Sequence, residues 1–136
     1  YVSVHIPASQ GQYDCILDGA SVNTYRLLVN NGTTTGFAWS ESPGALGIAI
    51  AVGVRTTFTM FNDATTKRSC RRNNLTETSD GNGLSVSPGG VKIGENPVGG
   101  SQINCRYFET VVYSTAHSSD TQTTARSDID AWITWN

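Results

Sequence analysis

The sequence predicts an all-β protein, an antiparallel β-sandwich made by a single domain over residues 1–136. Apolar and polar residues alternate with period 2 in run after run, whereas the helical period of 3.6 is nearly absent. Charged residues make up only 15% of the chain, against about 25% in an average soluble domain. Thr, Ser, Asn and Gly take their place, and this composition favours strands and turns over helices.

The first part of the chain contains four short predicted strands, and each of them ends at a turn signal. Pro7 ends the first strand, Asp18-Gly19 the second, Asn30-Asn31-Gly32 the third and Ser42-Pro43-Gly44 the fourth. These residues end strands because Pro lacks a backbone donor, and because Asn and Gly tolerate positive φ. The four strands are predicted at residues 1–6, 13–17, 25–29 and 37–39.

The longest strand signal runs from Ile48 to Phe61, where apolar residues at alternate positions would share one face. Gly53 lies inside it and is a candidate β-bulge. Residues 73–100 contain seven glycines and two prolines, which predicts a long loop of the kind that often carries function. Further β segments are predicted at residues 84–86, 91–93, 103–115 and 129–135.

The three cysteines predict at least one disulfide. Cys15, Cys70 and Cys105 lack the CxxC spacing of zinc and thioredoxin-type sites. A chain poor in charge and rich in Thr is typical of an oxidising compartment, so we expect a secreted or extracellular protein. Cys70–Cys105 is the favoured pair, which leaves Cys15 as a buried thiol, and Cys15–Cys70 is the alternative.

Charge and hydropathy argue against two classes of partner. A net charge of −2 gives no electrostatic reason to expect nucleic acid or an anionic membrane surface. No stretch approaches the roughly 18 to 20 apolar residues that span a bilayer, so no membrane insertion is expected. The chain also contains neither G-x-S-x-G nor H-E-x-x-H, and we therefore expect a binding protein rather than an enzyme.

A basic cluster and the tryptophans are the candidate ligand-binding residues. A cluster such as Lys67, Arg68, Arg71 and Arg72 suits a sulfated or sialylated glycan, or phosphate, although a solvated loop is the plainer interpretation. An exposed tryptophan is a platform for the apolar face of a sugar ring, although core packing is the default role of any tryptophan. Trp39 precedes a turn, and Trp132 and Trp135 differ in parity on the predicted last strand, so that one of them faces outward.

His5, His117 and Asp120 are the candidate metal ligands, for zinc or calcium, if the first and last strands are neighbours. The plainer interpretation of His117 is a solvated turn residue. Asp128 and Asp130 would share the outward face of the last strand, where paired carboxylates suit a glycosidase or calcium. The plainer interpretation is a charged strand edge that prevents pairing with other chains.

Two further sets of residues do not change these predictions. Asp14 and Asp18 allow the same two interpretations as the later aspartates. Asn31 and Asn74 lie in N-glycosylation sequons, which matter only in a eukaryotic source.

The layout resembles subunits of chaperone–usher fimbriae, in particular the receptor-binding domains at fimbrial tips. The resemblance rests on the immediate entry into a strand at 1–6, the early Cys15, the Thr/Ser/Asn/Gly-rich strands and the final run 129–135. It implies an immunoglobulin-like or jelly-roll sandwich, periplasmic export, neighbouring fimbrial subunits as partners, and binding of host glycans through loops at one end. The spacing between Cys15 and Cys70 is longer than that family's disulfide suggests, and no site residue is carried over.

Together these observations predict a secreted recognition domain, a carbohydrate-binding adhesin or lectin that attaches to host cells or surfaces through a glycan or glycoprotein receptor. The alternative is a structural or assembly subunit, of pilin or virion and spike type, that pairs through an edge strand. In that case the run Val2, Val4, Ile6 is a candidate donor strand. A small secreted hydrolase that uses His117 with a nearby aspartate is the least favoured function.

Overall fold

The structure, a computed structural model, describes residues 1–7, 14–19, 26–29, 35–38, 46–62, 68–73, 77–80, 89–95, 103–113, 124, 127–129 and 131–132. Within these ranges the chain is mostly β and forms ten strands in antiparallel pairs. The strands are β1 (Val2–His5), β2 (Cys15–Gly19), β3 (Leu27–Val29), β4 (Thr35–Ala38), β5 (Leu46–Ala49), β6 (Arg55–Asn62), β7 (Arg68–Arg72), β8 (Thr78–Asp80), β9 (Val91–Ile93) and β10 (Arg106–Thr110). The prediction of an all-β, antiparallel protein is confirmed.

The ten strands form two five-stranded sheets. The first sheet has the order β10-β1-β6-β7-β8, and the second has the order β5-β4-β3-β2-β9. The chain leaves the first sheet after β1, forms β2 to β5 as a meander of the second, and returns at β6. β1 is therefore paired on both sides, with β10 and with β6, and has no open edge to offer as a donor strand.

One hydrophobic core joins the two sheets. Val2, Val4 and Phe58 contribute to it from the first sheet. The second sheet contributes its own buried side chains at Ile16, Leu27, Leu46 and Ile48. Removing apolar surface of this kind from water is the main driving force of folding. The partly buried residues packed against this core are Leu17, Met60, Ile103, Cys105 and Tyr107.

The prediction of a single long strand from Ile48 to Phe61 is wrong, because the segment forms two strands in different sheets. β5 ends at Ala49 and β6 begins at Arg55. Between them Gly53 has φ +78°, and its N–H donates to the carbonyl of Ile6 at 2.8 Å. Glycine adopts positive φ at little cost, so the chain turns here from one sheet into the other. Both strands bury residues in the same core, and alternation alone therefore does not separate them.

The interpretation of the basic segment as a solvated loop is also wrong, because the segment forms β7 between β6 and β8. The strand ends at Arg72, and the next residue, Asn73, has φ +50°. The Asn73 N–H donates to the Thr57 carbonyl at 2.7 Å, and the Thr57 N–H donates to Asn73 Oδ1 at 2.9 Å. Asparagine tolerates the left-handed region better than most residues, which explains the end of the strand at this point.

The predicted last strand over residues 129–135 is not formed in the part of it that the structure describes. Residues 127–129 and 131–132 are helical. Ser127 and Asp128 are residue types that favour the first turn of a helix, and the alternation of Ile129 and Ala131 did not outweigh them. Asp128 is exposed on this helix rather than on a strand edge, and Asp130 lies outside the described residues.

The predicted disulfide is absent, because Cys15, Cys70 and Cys105 are all free thiols. Cys70 lies on β7 and Cys105 directly precedes β10, three strand spacings away in the first sheet. Three spacings are about 14 Å, whereas a disulfide needs Cα atoms within about 7 Å of each other. The prediction that Cys15 is a buried thiol is confirmed, since its side chain lies inside the protein.

The glycine-rich segment contains more regular structure than the sequence suggested. The β segment predicted at residues 91–93 is confirmed as β9, which pairs with β2. β8 falls in the same segment and was not predicted. The other β segment expected there, at residues 84–86, lies outside the described residues.

Phe58 gives the most direct test of the shared core, because its side chain is fully buried and lies on the central strand β6. Phe58→Ala should lower the free energy of unfolding by about 3 to 5 kcal/mol, through lost burial and the cavity left behind. Val112→Ala, at a side chain that is 63% exposed, should change it by less than about 0.5 kcal/mol. Urea denaturation of both variants measures the difference. A loss below about 1 kcal/mol for Phe58→Ala would contradict the described core.

Candidate functional site

Three basic side chains, two arginines and a histidine, lie side by side across the first sheet. β1 places His5 opposite Arg55 of β6 on one side and opposite Arg106 of β10 on the other. Residues directly opposite each other in neighbouring strands project from the same face. Val4, the preceding residue, points into the core, so Arg55, His5 and Arg106 project from the opposite face. We call these three residues the cationic row.

A β-bulge in β10 shapes the surface beside the row. Ser3 is opposite Glu109 and Val4 is opposite Tyr107, so Phe108 is an extra residue between them. A bulge of this kind re-aims the side chains around it. As a result Arg106 and Glu109, three positions apart, both lie on the outer face, and Phe108 remains 40% exposed between them.

Two arginines contact the ring of Phe108. The Cζ atom of Arg55 lies 4.4 Å from the ring centroid, and that of Arg106 lies 5.2 Å from it. Arg55 Nε also donates a hydrogen bond to Ser3 Oγ at 2.8 Å. A guanidinium over an aromatic ring is attracted by the ring's negative face while its in-plane N–H groups stay open to other partners. Both guanidinium groups are thus in contact with the same ring.

An exposed tryptophan lies next to the bulge. Trp132 comes from the short helical segment near the end of the chain, and its indole Nε1–H donates to both carboxylate oxygens of Glu109, at 3.0 and 3.2 Å. Despite this contact, Trp132 is 60% exposed. Glu109 is opposite Ser3, which accepts the hydrogen bond from Arg55. Glu109 is thus the residue through which Trp132 adjoins the outer face of β10, the strand that also carries Arg106.

This surface combines an apolar ring with hydrogen-bond donors. Arg106 is exposed and forms no ion pair with any residue of the described ranges. The row crosses three strands and so spans about 10 Å, or two strand spacings. Guanidinium groups bind planar and tetrahedral oxyanions through two parallel N–H bonds. The arrangement is suited to a small ligand that has both an apolar face and oxygen acceptors.

The basic cluster singled out in the sequence lies elsewhere. Arg68 is fully buried, which removes it from any ligand surface. Arg71 and Arg72 are half-buried on β7, and Arg72 Nη1 donates to the Ala49 carbonyl of β5 at 3.4 Å. That contact ties the first sheet to the second. Lys67 lies outside the described residues.

The tryptophan and metal candidates have mixed outcomes. Trp132 is exposed as a binding platform requires, whereas Trp39 lies outside the described residues.

Within the described ranges, no group of three or more His, Cys, Asp and Glu side chains is placed to hold a metal ion. His5 is flanked by arginines on both neighbouring strands, and their charge opposes a bound cation. His117 and Asp120 lie outside the described residues, so the zinc or calcium site stays a prediction.

Asp18 has a structural role. It is fully buried, accepts the Gly19 N–H at 2.7 Å, and forms an ion pair with Arg26 Nε at 2.8 Å. A buried carboxylate needs partners of this kind because an unpaired buried charge is very costly. The sequons at Asn31 and Asn74 lie outside the described residues.

Arg55, Arg106 and Phe108 were missed by the analysis of the sequence. Arg55 lies 51 and 53 positions before the other two along the chain, and none of the three belongs to a motif. Alternation gives the face on which a residue lies within its own strand, but not which residue of another strand lies opposite. An exposed cation beside an aromatic residue, as in Arg106-Tyr107-Phe108, was the one available signal.

The three thiols and the Tyr107 phenol are a second set of titratable side chains, buried or half-buried. Tyr107 Oη donates to the Ile16 carbonyl at 2.7 Å. Burial raises the pKa of Cys15 to about 11, with a smaller contribution from nearby Asp18. Burial also raises the pKa of Cys70 and of Cys105. Protonated thiols are poor nucleophiles, so this group is not suited to covalent catalysis at neutral pH.

Comparisons with protein-family models, with curated proteins and with solved structures each gave no match. The resemblance to fimbrial subunits therefore stays a prediction. No helix in the described parts of the chain is both long enough and apolar enough to cross a membrane.

The raised pKa of Cys15 predicts how stability depends on pH. The thiol titrates near its ordinary value of 9.0 in the unfolded chain and near 11 in the folded protein. Its contribution to stability is therefore complete below pH 9 and is lost as the pH rises from 9 to 11. Cys15→Ala should make the fall in unfolding free energy over this interval less steep, whereas Val112→Ala should leave the slope unchanged.

Urea denaturation at several pH values measures these slopes. Added reductant should leave every curve unchanged, because the three cysteines are free. Equal slopes for wild type and Cys15→Ala would contradict the burial of this thiol, and a loss of stability in reductant would contradict the absence of a disulfide.

Proposed function

We propose that this protein is a secreted recognition domain that binds carbohydrate, an adhesin or lectin that attaches to a glycan or glycoprotein receptor. The observation that carries the proposal is Trp132, an indole ring that is 60% exposed while its N–H is fixed by Glu109. A large apolar ring left in water is costly, and one fixed in place loses little conformational entropy when a ligand covers it. Such a ring suits the apolar face of a sugar.

The neighbouring groups support the same class of ligand. Glu109, which contacts the indole, supplies acceptors for hydroxyl groups, and the cationic row on the same face supplies donors. These side chains project from strands of a sheet whose central strands are buried on both faces, and a rigid support keeps binding geometry precise. We further propose that the two sheets form a β-sandwich, since they share one core and β5 lies against β7 and β8.

An assembly subunit is the alternative, favoured by a separate observation. Among the described strands β10 is at the end of its sheet, and Val112 and Tyr113 just beyond it are exposed. An edge strand with apolar neighbours can pair with a strand of another molecule. This alternative places the contact on β10 rather than on β1, which is paired on both sides.

A glycan array with the purified protein tests the proposed function. Specific binding is expected, and Trp132→Ala should weaken it by about tenfold, the effect of losing one aromatic contact. Tyr113→Ala is the matched control, because it removes another exposed aromatic ring and should leave binding intact. Binding that survives a chelator is expected for a site without metal. Loss of binding in the chelator would instead favour the metal site that includes His117 and Asp120.

Two results would contradict carbohydrate recognition. One is the absence of any signal above background from protein shown to be folded. The other is an equal loss of binding in Trp132→Ala and Tyr113→Ala. If the silent protein also forms oligomers that dissociate in Val112→Glu, the assembly alternative accounts for the exposed residues beside β10.

A further inference from the structure

We propose that the cationic row binds the negatively charged group of an acidic sugar, a carboxylate or a sulfate, while Trp132 covers the sugar ring. This inference rests on the proposed function and names the ligand class of that same surface. It adds Arg106, Arg55 and His5 to the binding residues and makes Arg106 the principal contact with the charged group.

The position of Arg106 is the first argument. Its side chain is exposed at the end of the described sheet, and it forms no ion pair with a described residue. Its guanidinium lies 5.2 Å from the centroid of Phe108, with Arg55 4.4 Å from the same centroid. Since no described residue neutralises it, the positive charge of Arg106 attracts an anion.

Pre-organisation is the second argument. Stacking on Phe108 restricts the arginines, and the hydrogen bond to Ser3 restricts Arg55 further. Less side-chain entropy is then lost when a ligand binds, which raises affinity. The in-plane N–H groups of Arg106 match the two oxygens of a carboxylate or a sulfate.

Size favours a single charged sugar over a polymer. The row spans about 10 Å, which is two strand spacings. Glu109 places a negative charge on β10 beside the Arg106 end of the row. A nucleic-acid strand needs a longer basic groove with several stacking rings. The protein as a whole also has a net charge of −2, which opposes a long polyanion.

The test compares three versions of one oligosaccharide, identical except for a neutral, a carboxylated (sialylated) or a sulfated terminal sugar. Isothermal titration calorimetry should give an affinity for at least one charged version that is about 10- to 100-fold above the neutral one. The advantage should shrink as salt is added. The charged version that binds more tightly identifies the source of the anionic group.

Variants then assign the effect to the row. Arg106→Gln should remove most of the charged-sugar advantage and lower the affinity for the neutral version much less. Arg106→Lys should keep only part of the advantage, because an ammonium lacks the planar pair of donors. Lys92→Gln is the matched control, since it removes one positive charge from β9 in the second sheet and should have no effect.

Glu109→Gln gives a change of opposite sign. It removes the negative charge at the end of the row but keeps an oxygen that can accept the Trp132 N–H. Affinity for the charged sugar should rise by a few fold, the effect of one partly screened charge, and the neutral sugar should show no such gain.

The possible failures separate the two proposals. Equal affinity for all three oligosaccharides, with Trp132→Ala still impaired, would overturn the anion site and leave carbohydrate binding intact. No binding to any version would overturn both. A single-stranded oligonucleotide that binds more tightly than the charged sugar would overturn the assignment of the ligand class.

Discussion

The pairing of β1 with both of its neighbours is the constraint on which the site depends. β1 is only four residues long, yet its register fixes which residues of β6 and β10 lie next to each other. Val2 and Val4 point into the core, and their burial holds that register, because a slip of one residue would move them to the opposite face. The same constraint keeps Arg55, His5 and Arg106 on the outer face.

The arrangement of the core explains why the first sheet can support a precise surface. β6 is buried on both faces, with Thr56 and Phe58 on the inner side and Thr57 and Thr59 on the outer side. A strand enclosed in this way opens only with large parts of the fold. The cationic row includes Arg55, which is the first residue of β6 and is half-buried. The site therefore combines a rigid base with side chains that solvent reaches.

The sequence predicted the parts of the fold that depend on local patterns. Alternation and turn residues located β1, β2, β3 and β9 to within a few residues. It did not separate β5 from β6, because both strands bury apolar residues in one core and only the positive φ of Gly53 divides them. The basic segment was taken for a loop because four cations rarely occupy a strand with a fully buried member such as Arg68.

For the site as well, the sequence revealed local features but not which residues of different strands lie next to each other. The sequence identified Trp132 as a candidate because a tryptophan is informative as a single residue. The strand predicted around it is helical in the structure. Arg55, Arg106 and Phe108 carry no individual signal, and their meeting depends on which residues of three strands lie opposite one another. That information is non-local. The disulfide prediction failed for the same reason, since the distance between β7 and β10 follows from the strand order alone.

The most direct test of this account is an NMR titration of the protein with an acidic sugar, followed through the arginine Nε–Hε signals. Arg55 and Arg106 should shift together with increasing ligand, and the indole N–H of Trp132 should shift with them. Arg26, held in its ion pair with buried Asp18, should stay unchanged and serves as the internal reference. Shifts confined to other residues, with Arg55 and Arg106 unaffected at saturation, would contradict the role of the cationic row.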